Sequence, residues 1–270
     1  MRWTLCIAAV LISLQSWAQQ CLPTLPEPPF QEGERFRMGL FFKWGAVNTE
    51  VATADVELDS VPFNGDAALH TTLTAVTAPF FSSFYHMHEH FESWFSPETL
   101  LPLKYTRQTK QADYRAYNHY IYDWEGRTIH ADINFGDNGP QTLEIPLENC
   151  VFDLTSILYY LRSLDISTWN PGHKAHMNFA IDDAVFDVVL TFRGRETLKV
   201  RRVGKIDTIC YTCTVVSGAM FDGSTEMALW FSDDANRLPI GLMAPLRIGS
   251  VQGWIKSYSG LKHPFTAKSK

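Results

Sequence analysis

From Arg35 onward the apolar residues of this chain recur at every second position. Phe36, Met38, Leu40, Phe42 and Trp44 fall on one side of an extended segment. Phe186, Val188, Leu190 and Phe192 do the same, alternating with Asp187, Val189, Thr191 and Arg193. Thr225, Met227, Leu229 and Phe231 alternate with Glu226, Ala228, Trp230 and Ser232. A period of two is the signature of half-buried strands. Turn formers stand between the runs: Pro62-Phe63-Asn64-Gly65, Asp123-Trp124-Glu125-Gly126, Gly136-Asp137-Asn138-Gly139, Arg193-Gly194 and Asp222-Gly223. Many strands with short polar turns form an antiparallel meander, and a long meander has to curl or close to hide its edges. The expected fold is therefore mainly β: a single antiparallel meander curled into a barrel or half-barrel. With 46% apolar residues, the chain has enough material for one β-rich core.

One stretch departs from this rhythm. Leu154, Ile157, Leu158 and Leu161 have helical spacing, and Asp153 suits an N-cap. This predicts one principal α-helix near 153–164, packed on the sheet or plugging a barrel mouth. Phe80 to Phe84, after Pro79, predicts a shorter helical turn.

The N-terminus sets the compartment. Arg2 is followed by an apolar run, Leu5 to Leu14, and then by Ser16-Trp17-Ala18, the pattern of a secretory signal peptide cleaved between Ala18 and Gln19. The run is half the length of a membrane span, and no later stretch approaches that length without charges. The mature chain is expected in the periplasm and not spanning a membrane. Cys21 offers an alternative, a lipid anchor, but a lipoprotein signal wants a small residue where Gln20 stands. Pro23, Pro26, Pro28 and Pro29 read as a stiff tether. The expected division is signal peptide 1–18, Pro-rich leader 19–32, β domain 33–263 and tail 264–270. A net charge of −6 and the lack of a basic run argue against nucleic acid and against an anionic membrane surface.

His86, His88 and His90 would point the same way in a strand, which is conceivable for zinc or copper. The opposite face, Met87, Glu89, Phe91, Ser93 and Phe95, looks buried, so the histidines read as an outward polar face. No metal or cofactor is expected. Glu89 is then a carboxylate on an apolar face, and such groups need a partner. Arg115 or Arg162 could pair with it, or Glu89 and Arg162 could belong to a ligand cavity. Cys210 and Cys213 have CxxC spacing in a strongly β context, where positions i and i+3 face opposite ways; a redox role is not expected. Among Cys21, Cys150, Cys210 and Cys213 three full pairings are possible, and Cys150–Cys210 is the favoured bond because both adjoin apolar segments. Asp233-Asp234-Ala235-Asn236-Arg237 and Asp182-Asp183 read as hairpin tips. The chain has no G-x-S-x-G, H-E-x-x-H, P-loop or G-x-G-x-x-G motif.

The C-terminal third, Trp230-Phe231-Ser232-Asp233-Asp234-Ala235-Asn236-Arg237-Leu238-Pro239-Ile240, then Ala244-Pro245-Leu246-Arg247-Ile248-Gly249-Ser250-Val251 and Tyr258-Ser259-Gly260-Leu261-Lys262, resembles the exported bacterial family called domain of unknown function 3108. Gly33-Glu34, Lys43-Trp44-Gly45, Phe91-Glu92-Ser93, Glu98-Thr99-Leu100-Leu101-Pro102, Phe152-Asp153 and Tyr159-Tyr160-Leu161-Arg162 extend the resemblance over nearly all of the mature chain. The resemblance implies a Gram-negative envelope protein with a mostly antiparallel β fold and no established activity. It also implies an acid at Glu89 and variable polar residues at the three histidines. The expected role is a binding or carrier module for an apolar or glycan envelope ligand. The alternatives are a structural or assembly factor that meets other envelope proteins, and a hydrolase built on carboxylates paired in space.

Overall fold

A computed structural model describes residues 21–83, 85–215, 226–246 and 248–269. The signal peptide with its Ala18/Gln19 junction, Phe84, the Asp222-Gly223 turn and Thr225 lie outside the described residues. Eight strands come first: β1 (Arg35–Trp44), β2 (Val47–Phe63), β3 (Asp66–Thr77), β4 (Met87–Phe95), β5 (Pro102–Gln111), β6 (Tyr114–Asp123), β7 (Thr128–Phe135) and β8 (Pro140–Pro146). After β9 (Val151–Phe152) and helix α1 (Ser156–Ser163) come β10 (Lys174–Ile181), β11 (Ala184–Val200), β12 (Gly204–Val215), β13 (Glu226–Ser232), β14 (Pro239–Pro245) and β15 (Ser250–Ser259).

Consecutive strands pair antiparallel from β1 to β8 and from β10 to β15, and β15 pairs with β1. One sheet of 15 strands results, with β8 and β9 at its edges. Only β9 is parallel to its neighbour, through Asn178 opposite Val151. The two edges are joined by residues 147–150 alone. Laid flat, so many strands at ~4.8 Å spacing would hold the edges roughly 65 Å apart. Four residues reach about 17 Å at most. The sheet therefore curls until its edges approach, without being hydrogen-bonded to each other. The expected curled meander is what forms. No helix among the described residues is long and apolar enough to cross a membrane.

Side chains fill the space inside the curl. Tyr105, Tyr120, Tyr159, Tyr160, Tyr211, Phe95, Phe152 and Phe192 are all fully buried. Tyr159 of α1 meets Phe30 at 4.9 Å and Phe95 at 5.4 Å, and Tyr160 stacks on Phe152 at 4.2 Å. The helix starts later than its N-cap expectation. Asp153 Oδ1 accepts from the N–H groups of Thr155 and Ser156, both at 2.8 Å, and the N-cap position is Thr155. Asp153 thus closes a turn that leads into the helix. Residues 78–83 make hydrogen-bonded turns, with the N–H groups of Phe81 and Ser82 both donating to the Ala78 carbonyl.

Three expectations change. The Arg193-Gly194 pair is a bulge within β11, where Gly194 takes φ +110°, and the chain turns at 201–203 instead. The leader is a strap docked across α1: Leu25 N–H donates to the Ser163 carbonyl, Tyr160 donates to the Leu22 carbonyl, and Phe30 is buried. The tail is bound too, with Ala267 buried and accepting from Asp207 N–H. In both segments an apolar residue provides the burial, and the prolines of the strap reduce the entropy lost on ordering.

The disulfide also differs from the favoured pairing. Cys150 bonds Cys21, with a Cα–Cα distance of 5.5 Å, and Cys210 is free. Cys150 and Cys213 face the cluster that contains α1, whereas Cys210 packs in a second cluster with Trp230 and Ala228. The i, i+3 cysteines do face opposite ways, and burial pushes both thiols up to about 12. Such thiols are unreactive.

The bond closes a loop across a sequence separation of 129. Replacing Cys150 with Ser is expected to cost about 3–5 kcal/mol in urea unfolding under non-reducing conditions. Equal stability of wild type and variant would contradict this bond.

Candidate functional site

Two buried charge systems lie on the concave side. The first is Arg162 with Glu34, both without exposed side-chain surface. Helix α1 presents Arg162 in its last turn, and Glu34 immediately precedes β1. Their bidentate contacts measure 2.5 and 2.8 Å. Arg162 also donates to the carbonyls of Asn236 at 3.0 Å and Arg237 at 3.1 Å. Its guanidinium lies 5.0 Å from the Phe30 ring. Every side of Arg162 is taken, so this ligand candidate is a clamp that joins strap, helix and the 234–237 turn.

The second system contains Glu89, and neither Arg115 nor Arg162 is its partner. Registry brings it together: Glu89 on β4 is opposite Thr109 on β5, and Arg107 on β5 is opposite Asn118 on β6. Residues two apart share a face, so Glu89, Arg107, Thr109, Gln111 and Asn118 project to the same side. Glu89 Oε2 accepts from the Thr109 hydroxyl at 2.5 Å, and its Oε1 accepts from Gln111 Nε2 at 2.6 Å. Thr109 Oγ1 accepts in turn from Arg107 Nε at 2.9 Å. Arg107 donates to Asp182 Oδ1 at 2.9 Å, and Asn118 donates to the same oxygen at 3.1 Å. Asp182 sits at the β10–β11 hairpin tip with φ +53°, which aims its side chain into the curl.

A continuous relay thus runs from the rim inward. At the rim Tyr85, 47% exposed, donates to Gln111 Oε1. Tyr114, also exposed, follows the β5–β6 turn beside it. Glu89 lies just beneath them, and the far end is Asp182, whose Oδ2 is buried with no hydrogen-bond partner. Deeper still, Asp153 Oδ2 accepts from Ser93 at 2.6 Å. The hydroxyls of Tyr105 and Tyr122 are buried without a partner. Burial raises the Asp153 carboxyl and pushes the Tyr105, Tyr120 and Tyr122 hydroxyls far up. The three tyrosine hydroxyls therefore stay neutral at neutral pH.

The histidines take the other face. His88 and His90 are half-buried, His90 Nδ1 lies 3.0 Å from Thr74 Oγ1, and His86 precedes the strand. Among the described residues no three His, Cys, Asp or Glu side chains converge to hold a metal. In the 232–238 turn, Asp234 Oδ1 accepts from Ser232 and from Asn236 N–H, as a hairpin tip requires. Arg107 and Asn118 were not singled out by sequence. Their signal was present in the alternation Tyr105, Arg107, Thr109, Gln111, which places an arginine on an inward face.

Residues 35–255 match the model of the family described as "Protein of unknown function (DUF3108)". No curated protein matches the chain. Among solved structures, a β-barrel-like protein of domain of unknown function DUF1849 from Brucella abortus is similar, with a TM-score of 0.54. It is 8% identical, and the match covers 85% of this chain and 98% of that one. At that identity the likeness is one of fold. A protein from Parabacteroides distasonis described as "a putative lipoprotein" matches with a TM-score of 0.39 and 8% identity, over 89% of this chain and all of that one, 100%.

The raised Asp153 carboxyl gives a pH test. Its folded-state pKa lies above the unfolded value, so its ionisation opposes folding. The stability of wild type relative to Asp153→Asn is therefore expected to fall as pH rises from about 4 towards neutrality. Urea midpoints of both proteins across that range check it, and a difference that grows with pH would reverse the assignment.

Proposed function

The chain is a member of the DUF3108 family, and from that premise we propose that it is an exported envelope protein that binds a hydroxyl-rich glycan at the mouth of its curled sheet. The observation that carries this reading is the relay Tyr85–Gln111–Glu89–Thr109–Arg107–Asp182, open to solvent at the aromatic end. Sugar recognition uses aromatic faces together with carboxylate, amide and guanidinium groups in fixed positions. The mouth offers these in one place. An apolar cargo would need an interior lumen, and aromatic side chains and α1 occupy that space. The signal-like N-terminus and the disulfide support a periplasmic location. Because Cys21 spends its sulfur on Cys150, the reading favours a free protein over one anchored by lipid at that residue.

Titration with soluble peptidoglycan and lipopolysaccharide oligosaccharides tests the proposal. At least one class is expected to bind saturably, and Glu89→Gln is expected to weaken it by about tenfold or more. Saturable binding of an apolar dye with no glycan binding would overturn it. So would a Glu89→Gln protein that is less stable yet binds glycan as before.

A further inference from the structure

The rim that bears the mouth carries a second feature. In an antiparallel sheet the end of β1, the start of β2, the end of β14 and the start of β15 share one rim. The turn after β1 exposes Trp44 and Val47, at 58% and 49%. The β14–β15 turn exposes Leu246 and Ile248, at 48% and 60%. The two turns are neighbours because Lys43 pairs with Ser250. Gly249, at φ +76°, makes this contact possible: a Cβ there would meet the Lys43 carbonyl and come within 3.2 Å of Trp44 Cβ. Scattered single apolar residues on a surface are ordinary, but four on two touching turns are not. Phe80, in the β3–β4 connection at the same rim, is exposed as well.

Cations flank this cluster. Beyond its bulge, the β11–β12 hairpin is a long arm whose turn brings Lys199, Arg201 and Arg202 to a groove of about 270 Å³ shared with Phe41, Asn48 and Trp254. Asn48 follows Val47 directly. Residues 41–49 and 197–206 contain Lys43, Lys199, Arg201, Arg202 and Lys205 and no Asp or Glu, in a chain of net charge −6. The one carboxylate in the groove, Glu50, is paired with Lys256 at 2.5 Å. Among the described residues, the acidic turns on this rim, with Asp113, Asp137 and Asp183, belong to the β5–β6, β7–β8 and β10–β11 hairpins, away from β1, and Glu226, which opens β13 beside β14, is paired with Arg193 at 3.4 Å. The overall charge argues against an anionic surface, but the charge is segregated, and screening over ~8–10 Å lets the local cluster dominate at contact.

We propose that the β1–β2 and β14–β15 turns with the arm of β11–β12 form a docking surface for a phospholipid bilayer with anionic headgroups. Trp44, Val47, Leu246 and Ile248 enter the headgroup boundary, and Lys43, Lys199, Arg201 and Arg202 meet the phosphates. A second copy of the chain fits less well. A two-fold interface would set these cations against their own equivalents.

The test is co-sedimentation of the processed, exported protein with phosphatidylcholine vesicles, with and without phosphatidylglycerol. Binding is expected to be about tenfold or more stronger with phosphatidylglycerol and to weaken with salt. Trp44→Ser with Ile248→Ser is expected to abolish it, and Arg201→Glu with Arg202→Glu to remove the preference. All four side chains are exposed, so melting temperatures should hold; if one pair misfolds, the other carries the test. Equal binding to both vesicle types, or none, overturns the proposal. A concentration-dependent dimer that Trp44→Ser dissolves, without vesicle binding, assigns the surface to a second copy and overturns it too.

Discussion

Four residues between β8 and β9 constrain everything else in this structure. They tie together the two edges of a sheet of 15 strands, and no flat or gently twisted sheet can satisfy them. Curling creates an inner volume, and an inner volume has to be filled or wetted. Here α1 fills it, with Tyr159 and Tyr160 reaching opposite walls. The strap of residues 22–30 then covers the helix, and the Cys21–Cys150 bond fastens the strap to the connection between the edges. Curl, plug, strap and disulfide are consequences of one closure.

The Arg162–Glu34 pair belongs to that scheme. Burying two charges is costly, and the pair is tolerated because each oxygen and each guanidinium edge has a partner. Its value is positional: it fixes the end of α1 against the start of β1 and the 234–237 turn. The Glu89 relay is different in kind. It is open at one end to solvent and leaves Asp182 Oδ2 without a partner at the other. A fully satisfied clamp and a partly satisfied relay, on the same concave side, separate the structural charge from the available one.

Local pattern was readable in the sequence where one strand or one helix turn decided it. The alternation through Phe186–Phe192 is β11 up to its bulge, and the spacing of Ile157, Leu158 and Leu161 is α1. The divergence of Cys210 and Cys213 followed from strand parity alone. What was not readable depends on the closure. Cys21 and Cys150, Glu34 and Arg162, and Arg107 and Asp182 are far apart in sequence, and their meeting is set by which strands face each other across the curl. The strap misled because prolines mark a linker and a docked segment equally well; Leu22, Leu25 and Phe30 were the distinguishing residues. Net charge misled in a similar way, since it averages over acidic turns and a basic arm that lie apart in the fold.

The central claim is that the curl is plugged rather than hollow, so that binding belongs to the rim. Native-state hydrogen exchange read residue by residue tests it most directly. The account predicts that the amides of α1, of Leu25 and of Asp165 are protected to the same degree as those of β1 and β2, opening only with global unfolding. Fast exchange of α1 and the strap within a protected sheet would contradict it, because the helix would then leave an accessible lumen in the native state.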